Sequence, residues 1–90
     1  MTAEEQERRE ECRALAREHL AARQVLACHP QDIRRRLNKC REHDFTLDEV
    51  EAACAFLVGL GHAEVVRAEL GATLYYKATS AGVLAAERSL

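Results

Sequence analysis

Two short phrases carry donor atoms that could hold a metal: Cys28-His29 and Cys40-x-x-His43. Structural zinc is usually held by cysteine pairs two to four residues apart or histidine pairs slightly wider, and the adjacent Cys-His pair fits that pattern poorly. Cys40 also shares a helical face with Ile33 and Leu37, where a thiol packs as a small hydrophobe. No metal ligands and no cofactor are therefore assigned. Asp48 and Glu51 fall on one side of a helix, the ordinary arrangement of a solvated acidic face. The sequence has no glycine-rich phosphate loop and no nucleophile motif, so an enzyme is not expected.

Charge is sorted by segment. The 90-residue chain carries a net −2, which argues against indiscriminate attraction to nucleic acid. Within residues 31–43, however, Arg34, Arg35, Arg36, Lys39 and Arg41 face only Asp32 and Glu42. Residues 46–60 reverse the balance, with Asp48, Glu49 and Glu51 and no base. Apolar residues make up 48 % and aromatics only 4 %, which implies a thin core of Leu, Val and Ala in one domain spanning 1–90. Small cores of this kind gain from oligomerisation, so a homodimer is expected. No apolar run is long enough to span a membrane, and Met1 leads directly into "TAEEQERREE" with no signal peptide. The expectation is a cytoplasmic protein whose four cysteines, Cys12, Cys28, Cys40 and Cys54, remain free thiols.

These groups must be positioned by helices and one ribbon. Residues 4–27 read as a long first helix in which Cys12, Leu15, His19, Ala22 and Leu26 recur at spacings of three and four. That seam suits either packing on the helix's own domain or a dimer contact, with His19 a core or interface histidine and, alternatively, a pH-sensitive one. Residues 4–11 contain no apolar side chain, so this stretch is expected to be solvated or frayed. Pairs such as Glu4–Arg8 and Glu5–Arg9 would add roughly 0.2–0.5 kcal/mol each. Pro30 ends this helix and suits the first position of the next, over 31–42.

The third helix, 46–60, has the best-marked start. Thr46 and Glu49 form a capping box, and Phe45 and Val50 a hydrophobic staple. Val50, Ala53, Cys54, Phe56, Leu57, Val58 and Leu60 occupy one broad half of its wheel, and Asp48, Glu51, Ala52, Ala55 and Gly59 the other. Gly59 and Gly61 mark its stop. Two β-rich runs within 63–78 then read as a hairpin with Gly71 in the turn, and a closing helix covers 80–89. The fold class is α+β, mostly helical, in the order helix, helix, helix, two-stranded ribbon, helix.

That order is the winged helix-turn-helix order. "FLVGLGHAEVV" followed by "GATLYYKATSAG" resembles the third helix, wing and exit of bacterial PadR-like and MarR-like transcriptional regulators, through Leu57, Gly61, Tyr75, Tyr76, Thr79 and Gly82. The chain is also similar in length to small prophage-encoded winged-helix proteins. The resemblance implies binding to double-stranded DNA as a dimer, third helix in the major groove.

The residues agree only in part. Base-reading positions near the start of that helix hold Leu47, Asp48, Glu51 and Ala52, which face phosphates at a Coulombic disadvantage. Phosphate contact would therefore come from Arg34, Arg35, Arg36, Lys39 and Arg41, with help from Arg67 and Lys77 on the wing. The alternative is a protein-interaction module that docks a partner on Asp48, Glu51, Ala52, Ala55 and Gly59.

Overall fold

The computed structural model describes residues 2–24, 26–39, 43–68 and 71–89. Its elements are α1 (Ala3–Arg23), α2 (Pro30–Leu37), α3 (Leu47–Gly59), β1 (Ala63–Arg67), β2 (Leu74–Ala78) and α4 (Ser80–Arg88). This is the winged-helix layout, with one core shared by every element.

The first helix starts in order at Thr2, whose hydroxyl accepts from the Glu5 amide at 3.1 Å. The stretch expected to be solvated or frayed is solvated but helical, anchored by Arg8, which leaves the intrahelical Glu4 pair unused and reaches Glu49 and Asp44 across the domain. The helix stops at Arg23 instead of residue 27, because Gln24 takes a positive φ of 25°. Its inward line is Cys12, Ala16, Leu20 and Ala21.

Beyond the turn, Cys28 pairs with Tyr76: the Cys28 amide donates to the Tyr76 carbonyl at 2.7 Å and the Tyr76 amide returns a bond of 2.9 Å. Thus β2 has β1 on one side and this one-residue bridge on the other.

His29 caps α2 by accepting from the Gln31 amide through Nδ1 at 3.0 Å, and Pro30 sits at the first helical position as expected. The helix buries Ile33 and Leu37 and stops at Leu37, short of the expected residue 42. Asn38 closes it and holds the start of α3. Its amide donates to the Phe45 carbonyl at 2.8 Å, and its oxygen accepts from the Phe45 amide at 2.9 Å. Cys40, Arg41 and Glu42 lie outside the described residues.

Both halves of the capping box at α3 are present. The buried arc is Val50, Ala53, Cys54 and Leu57, narrower than the half-wheel expected from sequence. Phe56 and Leu60 are outside it, 41 % and 51 % exposed, because only the i, i+3, i+4, i+7 line meets α1 and α2. The helix ends in a Schellman arrangement. The Gly61 amide donates to Val58, the His62 amide donates to Leu57, and Gly61 takes a φ of +78°, which glycine adopts without strain.

The hairpin pairs Ala63 with Ala78, Glu64 with Lys77, Val65 with Tyr76, Val66 with Tyr75 and Arg67 with Leu74. At its exit the Thr79 hydroxyl donates to the Gly61 carbonyl at 2.6 Å and accepts from the Gly82 amide at 3.1 Å. Gly82 lies so close to the His62 carbonyl that a Cβ there would collide with it. The threonine and glycines that carry the family resemblance are therefore the joints that tie helix end, wing and α4 together.

Candidate functional site

Two surfaces compete: the basic side of α2 with the wing, and the outer side of α3. On α2, Arg34 is half-buried and donates through Nε to Gln31 at 2.9 Å, while Arg35 lies 3.4 Å from Asp32 with both side chains well exposed. Arg36 and Lys39 are exposed. Arg41 falls outside the described residues.

The wing divides its two bases. Residues opposite one another in an antiparallel pair share a face, and successive residues alternate. Arg67 therefore lies on the face of Ala63, Val65, Leu74, Tyr76 and Ala78, which turns toward the core, and Lys77 on the opposite face with Glu64, Val66 and Tyr75. Lys77 also pairs with Glu64 across the strands at 3.7 Å. Tyr75 meets the His29 ring edge-on, 5.5 Å between centroids, while Tyr76 is buried. One straight surface cannot take both wing bases.

On α3, Asp48, Glu51, Ala52, Ala55 and Gly59 are all exposed, continuous with Phe56 and Leu60. No side chain on this face is an arginine, lysine, asparagine or glutamine. Glu49 is withdrawn from it. Arg8 Nε donates to one of its oxygens at 2.6 Å and Arg8 Nη2 to the other at 2.9 Å, while the Thr46 amide also donates to it at 3.0 Å. The guanidinium holds the Glu49 carboxyl down at about 2, Thr46 adds to the effect, and Arg8 in turn is raised well above its usual value.

Between α1 and α3 runs a groove of 470 Å³ lined by Glu5, Arg8, Arg9, Cys12 and Arg13 from α1 and by Asp48, Glu49, Ala52 and Ala53 from α3. Arg13 places its guanidinium over the Phe56 ring, 3.6 Å from the centroid. These residues were missed as a surface in the sequence. The recurrence of Arg9, Arg13 and Arg17 at four-residue steps is the signal that could have disclosed one wall.

The expected seam does not form one continuous exposed line. Cys12 is buried and Leu15 packs against the domain's own core. His19 is half-buried at a hollow of 240 Å³ with Arg23, Asp32 and Arg36, and Ala22 and Leu26 are exposed. Burial lowers the His19 pKa, and Arg23 and Arg36 lower it further, favouring the neutral ring.

Chemically reactive groups are muted. Burial pushes the Cys12 thiol up to about 11 and the Cys54 thiol up to about 12, and raises Cys28 as well. Such thiols are poor nucleophiles near neutral pH. His29 serves as a helix cap, and His43 stacks on Phe45. Among the described residues no three His, Cys, Asp or Glu side chains converge as a metal site. No helix among the described residues is long and apolar enough to cross a membrane. No protein-family model matches the chain, and no curated protein matches it.

Proposed function

We propose that this chain is a winged-helix interaction module whose third helix docks protein and does not read base edges. The observation that carries this reading is the composition of the outer face of α3: two acids with no ion-pair partner among the described residues, two alanines, a glycine and the partly exposed Phe56 and Leu60. Bidentate base recognition in the major groove draws on Arg, Lys, Asn and Gln, and this face has none; its acids could only accept from cytosine, and they meet the phosphates at a Coulombic disadvantage. Apolar surface beside small residues suits close packing of another polypeptide instead.

A second reading has its own support, because Arg35 and Arg36 on α2 and Lys39 just beyond its end stand exposed. These would give a duplex contact that is electrostatic, indifferent to sequence and steeply weakened by salt.

Selection from a pool of random duplexes tests both. The docking reading expects no enriched sequence, and Ala55→Trp should leave duplex affinity unchanged. The electrostatic contact expects Arg35→Ala with Lys39→Ala to weaken all duplexes alike. An enriched sequence whose binding is lost in Ala55→Trp would overturn the docking reading.

A further inference from the structure

The groove between α1 and α3 has opposite charges on its two walls. The α1 wall carries Arg9 and Arg13, with Glu5 one turn before Arg9; the α3 wall carries Asp48, with Glu51 one turn further along, just outside the groove. Among the described residues Arg9, Arg13, Asp48 and Glu51 take part in no ion pair, whereas Arg8 and Glu49 in the same lining satisfy each other. Small side chains, Cys12, Ala52 and Ala53, line the space between the walls. The helices also run in the same direction here: Arg8 meets Glu49, and Arg13, further along α1, meets Phe56, further along α3.

We propose that this groove is a self-complementary interface occupied by a second copy of the chain. The symmetry follows from the charges. A half-turn about an axis running along the groove brings the α1 wall of one copy over the α3 wall of the other, so that Arg9 and Arg13 face Asp48 and Glu51 twice over. An axis across the groove would set arginine on arginine, and charge rejects it. A two-fold interface uses the same patch on both subunits, and this patch carries both halves of the required match. Ala52 and Ala55 let the backbones approach, and Phe56 supplies apolar area beneath Arg13. The interface rests on the reading of α3 as a protein-docking helix. It leaves the α2 bases free.

Sedimentation of the full chain, with circular dichroism to confirm folding, tests this. Arg9→Glu and Asp48→Lys alter exposed positions and each puts like charges across the axis. The expected result is a wild-type dimer at low salt that loosens as salt rises. Either single reversal should weaken it about tenfold, and the Arg9→Glu/Asp48→Lys double variant should recover it. A wild-type monomer at millimolar concentration would sink the proposal, as would a dimer indifferent to both single reversals or a double variant that stays dissociated. A monomer with no sequence-selective duplex binding removes only this interface. Sequence-selective duplex binding that depends on the outer face of α3 removes the reading beneath it.

Discussion

Arg8 and Glu49 stand 41 residues apart in sequence and meet through two hydrogen bonds, 2.6 and 2.9 Å, that bind the first turns of α1 to the first turn of α3. The same arginine reaches Asp44 at 2.9 Å and lies over the Phe45 ring. One guanidinium thus secures the loop before α3, the capping residue within it and the otherwise polar start of α1.

Removing that guanidinium therefore costs more than a surface charge does. Arg8→Ala should destabilise the fold by about 1–2 kcal/mol, less than a buried pair because Arg8 remains 40 % exposed. Thermal denaturation reads this as a fall of roughly 4–8 °C per kcal/mol. A variant that melts with the wild type would show the pair to be ornamental.

The pair also sets an acid limit. The Glu49 carboxyl is held at about 2 against an ordinary 4.5, first by the Arg8 hydrogen bonds. A depressed carboxyl contributes stability that is fully present above its unfolded value and is lost as pH falls through its folded value. Urea midpoints should therefore decline between about pH 4.5 and pH 2. In Arg8→Gln the Glu49 part of that decline should shrink, a difference visible in paired titrations.

Two glycines should respond in opposite directions to the same substitution. Gly82→Ala drives a Cβ into the His62 carbonyl and should cost about 1–3 kcal/mol. Gly59 is helical with open space around it, so Gly59→Ala should stabilise by about 0.4–1 kcal/mol. Chemical denaturation of the two variants side by side decides it.

The core thiols make an alkaline counterpart. Cys12 and Cys54 are raised from 9.0 to about 11 and about 12, chiefly by burial. Their contribution is complete below the unfolded value and is lost as pH climbs toward the folded ones. At pH 8 both should resist iodoacetamide in the native protein and react once urea unfolds it, as peptide mass analysis would show. Prompt native alkylation of Cys54 would contradict its position in the core.

What the sequence disclosed was chiefly local. The capping box at Thr46, the stop at Gly61, the proline at the start of α2 and the alternation of the ribbon each depend on neighbours a few residues away, and each is found where spacing placed it. Relationships across the chain were not legible. Nothing near Arg8 marks Glu49 as its partner, so the start of α1 reads as solvated or frayed; it is solvated, but helical and tied down. The breadth of the buried arc on α3 depends on how α1 and α2 straddle it, which is why Phe56 and Leu60 were assigned inward. The division of Arg67 from Lys77 needed the register of the hairpin, which composition alone does not fix.

The bridge from Cys28 to Tyr76 has a consequence for motion. Because β2 is bonded on both flanks while, among the described residues, β1 is bonded on one, the wing is anchored asymmetrically, with its fixed side sewn to the residue before the cap of α2. Deuterium should enter the outward-facing amides of Val65 and Arg67 first and the Tyr76 amide last, so a ligand that gripped the ribbon would tug on the approach to α2 as well as on the joint at Thr79.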